Sequence, residues 1–278
     1  MNAKKITQYP ELDGVLQDYA ERLKETLGDF LVGVYLVGSL AIGDFDLTSD
    51  IDFIVVTSDE LSESQIRQVQ SVHDQTYGQD NRWVKQFEYS FFPKDILNQP
   101  SSPFSRDGRT EGENRELWHF CHGSPTLERS DHDNSLVIRW TLAEKAVVVI
   151  GPEPTALSNS VSANALRIEV RNTLVGWGNE LLEDPEPYRN RFFQAFIVLH
   201  YCRMLQDLDE GRVTSKLEGA EWAKTRLDVK WIPLIDFCWD ERQDTEIHTS
   251  QPAVPEIFNE VLAFVNYAAT RSKVFTIS

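Results

Sequence analysis

Asp50 and Asp52 stand one residue apart at the start of an apolar run, residues 51–56, and Gly38-Ser39 closes an earlier run, residues 31–37. Both runs have the length and branching of buried strands. Side chains alternate along a strand, so the two aspartates project from one face about 6–7 Å apart, at a rise of ~3.3 Å per residue. Carboxylates so placed repel each other unless a cation lies between them. Oxygen ligands on a rigid strand beside a Gly-Ser turn suit Mg²⁺, which shares its coordination sphere with substrate phosphates. Metal-assisted handling of a nucleotide is the chemistry this spacing allows, with Asp50 and Asp52 as metal ligands beside the Gly38-Ser39 turn.

Other residues could join them. Residues 83–92 alternate as a strand would, with Trp83, Lys85, Phe87, Tyr89 and Phe91 on one face and Val84, Gln86, Glu88, Ser90 and Phe92 on the other. Glu88 is then a carboxylate among aromatics in mid-strand, costly unless it has a task or a partner. Arg82 and Lys85 are the nearby cations, and the alternation turns Lys85 to the opposite face. Residues 98–114 read as a long loop, and Arg106, Arg109 and Arg115 could contact phosphates there or simply face solvent. Trp118, His119, Cys121 and His122 offer soft ligands, but no second Cys/His pair lies nearby, so a zinc site is not expected.

In the second half, Ser215 is placed to cap a helix whose start favours anions, and Lys216 could meet a triphosphate there. Arg203, read from the residues alone, could pair with Asp207 one helical turn on. Glu180, Glu183, Asp184 and Glu186, with Trp177, could recognise a polyamine, or could form an ordinary solvated face.

These residues need elements to hold them. Residues 9–28 carry a 3.6-period apolar face headed by Pro10, Ser62 and Gln65 form a capping-box pair for a helix through Tyr77, residues 134–145 are helical, and residues 147–150 form a short strand. Gly151-Pro152-Glu153-Pro154 then breaks the chain. Residues 162–182, 188–209, 215–227, 234–240 and 255–273 all read as helices, with no convincing strand among them. The expectation is an α+β protein: a mixed-sheet domain with flanking helices over residues 1–152, then an all-α helical bundle over residues 153–278, with the substrate pocket in the cleft between them.

Charge narrows the function. The chain has 27 Lys plus Arg against 44 Asp plus Glu, a net charge of −17. Such a surface repels nucleic-acid phosphates and excludes sequence-independent nucleic-acid binding, while it would concentrate a small polycation; solubility alone is the other use of such charge. No apolar run is long enough to span a membrane, and the N-terminus lacks a signal-peptide core. Three well-separated cysteines (Cys121, Cys202, Cys238) do not form a disulfide framework, in keeping with a cytoplasmic protein. Oligomeric state is left open.

The arrangement G-S-x10-D-x-D (Gly38, Ser39, Asp50, Asp52) resembles the signature of the polymerase-β-like nucleotidyltransferases. The segments around His200–Met204, Gly211–Lys216, Ala220–Ala223 and Arg226-Leu227 resemble the AadA-type streptomycin/spectinomycin adenylyltransferases, so that the likeness covers nearly the whole chain. The resemblance implies Mg²⁺-dependent transfer of AMP from ATP to a hydroxyl of a small cationic aminoglycoside, with release of pyrophosphate. It implies two Mg²⁺ ions on Asp50 and Asp52, Glu88 as catalytic base, Lys216 and Arg203 at the nucleotide, and Trp118 in the pocket wall. Arg189, Phe193 and Phe196 stand where members that accept streptomycin carry tryptophan and acidic residues. That leaves spectinomycin or another hydroxylated acceptor open. Nucleotidyl transfer to a different small molecule or to a protein, and a non-catalytic nucleotide-binding or antitoxin-like module, are the alternatives.

Overall fold

A computed structural model describes residues 5–97 and 116–275. They form two compact units, one of residues 5–97 and 116–161 and the other of residues 162–275.

The first unit begins with α1 (Pro10–Leu27), whose Leu12, Leu16, Tyr19, Leu23 and Leu27 are buried at helical spacing. Then come β1 (Leu31–Leu36), the short α2 (Gly38–Ile42) and β2 (Ile51–Thr57). The helix α3 (Glu63–Tyr77) carries the expected capping box: the Ser62 hydroxyl accepts from the Gln65 N–H, and the Ser62 N–H donates to Gln65 Oε1 at 2.9 Å. The chain continues through β3 (Phe87–Pro93), α4 (Lys94–Leu97), β4 (Leu117–Phe120), β5 (Leu127–Ser130), α5 (Leu136–Glu144) and β6 (Val147–Ile150).

The six strands form one sheet in the order β5-β4-β3-β2-β1-β6. β2 and β3 are parallel and every other pair is antiparallel. A parallel pair needs a long crossover, and α3 lies within it. Alternation sorts the central strands between two cores: Ile51, Phe53, Val55, Phe87, Tyr89 and Phe91 pack beneath α1 and α3, whereas Ile54, Val56 and Phe92 pack with Leu142 and Leu157 on the other side.

Two expectations need correction. Residues 83–86 form a 3₁₀ turn rather than the first half of a strand. β2 begins at Ile51, which pairs with Phe87, so the residues before Phe87 have no ladder to join. β4 and β5, four residues each, were not expected at all. Residues 154–156 pack against α5 and Leu157 fills that core, so the first compact unit extends to Val161.

The second unit is helical: α6 (Ala163–Glu183), α7 (Arg191–Glu210), α8 (Lys216–Arg226), α9 (Ile232–Gln243) and α10 (Pro255–Ser272). α7 packs against the other four and is buried nearly all round, from Gln194 to Leu208. A helix surrounded in this way needs apolar residues on every side rather than one stripe. Ser162, Asn190 and Ser215 each cap the helix that follows, accepting from a backbone N–H in its first turn.

Candidate functional site

At the end of β1 the Val37 N–H donates to the Asp52 carbonyl at 2.9 Å, which keeps the departing chain against β2. Gly38 follows with φ +55°, and a Cβ there would lie 2.7 Å from the Asp52 carboxyl carbon. The residue must therefore be glycine both for its backbone and for the space the carboxylate occupies. Ser39 sits in the first turn of α2, and its buried Oγ has no hydrogen-bond partner. A buried hydroxyl in that condition calls for a ligand oxygen. Asp46, by contrast, is spent on its own turn, accepting from the Thr48 N–H at 2.9 Å and the Thr48 hydroxyl at 2.6 Å.

Asp50 precedes β2 and is partly exposed; His122 Nδ1 pairs with its Oδ1. Asp52 is directly opposite Glu88 in the parallel β2–β3 register. Neighbouring strands are ~4.8 Å apart, so the two carboxylates rise side by side from one face. Burial raises the Glu88 pKa; the His132 charge works against this, and the Asp50 and Asp133 charges add to it. Oxygen donors from Asp50 and Asp52, a glycine that leaves room for them and the unpartnered Ser39 hydroxyl fit a Mg²⁺-bound polyphosphate.

Neither Arg82 nor Lys85 supplies the partner that Glu88 needs. Lys85 donates to the Tyr77 carbonyl and lies over the Tyr77 ring, and Arg82 lies over Trp83. The partners are histidines. His132 Nε2 is 3.3 Å and His119 Nε2 3.8 Å from Glu88 Oε1. The other His119 nitrogen, Nδ1, is 2.9 Å from Ser90 Oγ and 3.5 Å from Asp133 Oδ2, and Ser90 Oγ donates to Asp133 Oδ2 at 2.7 Å. Burial alone would lower the His119 pKa, but the Asp133 hydrogen bond and the Asp133 and Glu88 charges outweigh it and the pKa is raised. Asp133 shows the converse: burial would raise it, and the His119 hydrogen bond with the two histidine charges brings it below its ordinary value. Sequence reasoning did not single out His132 or Asp133, and it weighed His119 and His122 only as zinc ligands. The run around His119 and His122 was visible as a cluster, but its partner Glu88 lies across a strand pairing that spacing does not reveal.

Trp118 does not join this face. It neighbours His119 on β4, so alternation turns it to the opposite side, where it packs against the core of Tyr89, Phe91 and Phe120 and beneath Arg129. Arg106, Arg109 and Arg115 lie outside the described residues.

Within the helical unit, the Ser215 hydroxyl accepts from the Glu218 N–H at 3.0 Å and so caps α8 as expected. Lys216 is half-buried with Nζ 4.7 Å from the Phe196 ring centroid. Arg203 does not pair with Asp207, whose carboxylate accepts instead from the Thr214 N–H at 2.8 Å and the Thr214 hydroxyl at 2.7 Å. The Arg203 Nε is buried without a hydrogen-bond partner, as is His200 Nδ1. Burial, then the Arg203, Lys216 and Arg242 charges, holds His200 well below its ordinary pKa and therefore neutral. Three cationic side chains, of Arg203, Lys216 and Arg242, thus lie within electrostatic reach of His200. Trp177 packs edge-on to Tyr188, Phe196 and His200, while Glu180 and Asp184 are exposed near the end of α6. No described helix is long and apolar enough to cross a membrane.

Two family models match the chain: a nucleotidyltransferase domain over residues 16–109 and the aminoglycoside adenylyltransferase C-terminal domain over residues 157–271. Spectinomycin 9-adenylyltransferase from Staphylococcus aureus is 24% identical over 226 residues, which cover 77% of this chain and 79% of the relative. The crystal structure of spectinomycin adenyltransferase AAD(9) from Enterococcus faecialis with ATP and spectinomycin superposes with a TM-score of 0.67 at 15% identity, covering 96% of this chain and all of that one. The chain thus carries a nucleotidyltransferase domain followed by an aminoglycoside adenylyltransferase C-terminal domain, and is homologous to spectinomycin 9-adenylyltransferase.

Proposed function

We propose that the protein transfers AMP from ATP to a hydroxyl of a spectinomycin-type aminoglycoside and releases pyrophosphate. The observation that carries this is the register of β2 on β3, which sets Glu88 beside Asp52 on one face. Asp50 and Asp52 would hold two Mg²⁺ ions, which when bound neutralise phosphate charge and stabilise the attacking and leaving oxygens. Gly38 lets the backbone approach the phosphates and Ser39 donates its hydroxyl to them. Lys216 and Arg203 supply positive charge for the same triphosphate.

Glu88 takes the acceptor's hydroxyl proton as that oxygen bonds to the α-phosphorus and the bond to the pyrophosphate oxygen breaks. Its raised pKa makes it a stronger base than an ordinary carboxylate, and positioned proton transfer contributes ~10²–10⁴ in rate. Glu180 and Asp184 are offered as contacts for the acceptor's amines. Spectinomycin is preferred because the relatives that match most of the chain are enzymes named for it.

The test combines pyrophosphate release with mass spectrometry of the acceptor, over spectinomycin, streptomycin and an acceptor-free control. Expected is an AMP adduct on spectinomycin that disappears in Asp52→Asn. In Glu88→Gln, ATP binding persists and kcat falls by ~10²–10⁴. ATP binding with no adduct on either antibiotic would overturn the acceptor class, and wild-type turnover by Glu88→Gln would remove that residue from the role.

A further inference from the structure

Cys121 and His119 have no part in the transfer as proposed, yet they share a face with Glu88. β4 runs antiparallel to β3, with Ser90 opposite His119 and Tyr89 opposite Phe120. One more step along that ladder brings Cys121 beside Glu88. One ligand atom each of Glu88, His119 and Cys121 lies within 4.8 Å of the other two. Around a tetrahedral zinc ion the ligand atoms are about 3.3–3.8 Å apart; the Glu88–His119 pair is already at 3.8 Å. Small side-chain rotations would bring in the exposed Cys121 sulfur.

A second observation points the same way. Imidazoles that bind metals through one nitrogen engage a carboxylate or other polar group with the second. His119 is held in that manner, Nδ1 against Ser90 Oγ and Asp133 Oδ2, with Nε2 facing Glu88. His132 Nε2 is 3.3 Å from Glu88 Oε1 on the solvent side, outside the three-residue group, and would have to turn toward His119 and Cys121 to serve as a fourth donor. Imidazole nitrogen, thiolate sulfur and one carboxylate oxygen suit Zn²⁺ or Co²⁺ and not the all-oxygen preference of Mg²⁺.

We propose that Glu88, His119 and Cys121 form a binding site for a thiophilic divalent ion, Zn²⁺ foremost, completed by His132 or water, and that filling it withdraws Glu88 from catalysis. The binding half stands on the geometry alone; the inhibitory half rests on the role assigned to Glu88.

The experiment uses the full chain, stripped by a chelator and held in saturating Mg²⁺, with Co²⁺ as probe. Expected are the visible bands of tetrahedral cobalt and a near-ultraviolet thiolate charge-transfer band, both displaced by Zn²⁺. Cys121→Ser loses the charge-transfer band, and Asp133→Asn weakens the metal by ~10–100-fold through His119. Zn²⁺ also shields Cys121 from alkylation in the wild type, read by mass spectrometry at that cysteine. Transferase rates are compared with each variant's own rate in Mg²⁺, and Cys121→Ser requires at least about tenfold more Zn²⁺ for half-inhibition.

A spectrum without thiolate charge transfer, or a band that persists in Cys121→Ser, overturns the site. A Cys121-dependent band with full activity keeps the site and overturns the inhibitory half, together with the role of Glu88.

Discussion

Gly38→Ala is the sharpest perturbation of the acidic face. The new methyl would lie 2.7 Å from the Asp52 carboxyl carbon and 2.8 Å from its Cβ. Carbon atoms settle at about 3.5–4.0 Å, so the carboxylate must retreat by about 1 Å. A displacement of that size at a reacting centre costs on the order of 10² in rate, or about 2.7 kcal/mol. The backbone adds its own strain, since an alanine in the left-handed region costs ~1–2 kcal/mol. The expected outcome is a kcat about a hundredfold lower, with only a modest loss of thermal stability. Gly14→Ala is the control: nothing lies within 4 Å of a Cβ there, on an exposed turn of α1, and the substitution should stabilise by ~1 kcal/mol without touching turnover. Pyrophosphate release with ATP, Mg²⁺ and spectinomycin, run beside thermal unfolding, separates the two effects. A Gly38→Ala enzyme turning over at the wild-type rate would refute the claim that Asp52 must stay where this glycine leaves it.

Other outcomes follow from the same coordinates. Burial pushes the Asp207 pKa up to about 7, against the Arg203 charge and the Thr214 hydrogen bonds. The native state therefore holds this proton more tightly than the unfolded chain, so the stability it brings is full below about pH 4 and is lost as pH rises through 7, at up to ~1.4 kcal/mol per pH unit. Asp207→Asn keeps the acceptor oxygen for Thr214, flattens that slope and makes urea unfolding at pH 8 harder than in the wild type. Ser62→Ala removes the cap of α3 and should cost ~1 kcal/mol, a fall in Tm of about 2–4 °C. Asp133→Asn removes the hydrogen bond and charge that raise the His119 pKa, so an NMR titration should find the imidazole titrating at lower pH; an unchanged midpoint would disconnect the two residues.

What could be read in the chain was local. The two strands β1 and β2 are set by apolar runs within a few positions of the Gly-Ser turn, and the Gly-Ser and Asp pairs came with them, although the short α2 between them was not expected. The capping box at Ser62 and the helix cap at Ser215 are likewise carried by neighbouring residues. What failed depended on distant partners. Residues 83–86 alternate as well as β3 does, but alternation is indifferent to where the partner strand begins, and β2 begins at Ile51. β4 and β5 are too short to announce themselves, and they exist by pairing with β3 and with each other. His132 and Asp133 were passed over, and His119 weighed only as a zinc ligand, for the same reason. Their meaning comes from Glu88 and Ser90, reached across a ladder and not along the chain.

The parallel pairing of β2 with β3 also bears on the life of the protein before it is complete. Asp50 and Asp52 are synthesised well ahead of Glu88, and α3 must be made and laid over the sheet before the two strands can meet. No N-terminal fragment short of β3 can bring the three acids together. On the proposed reading the emerging polypeptide lacks its base until the third strand is in register, and the residues offered by the helical unit follow later still.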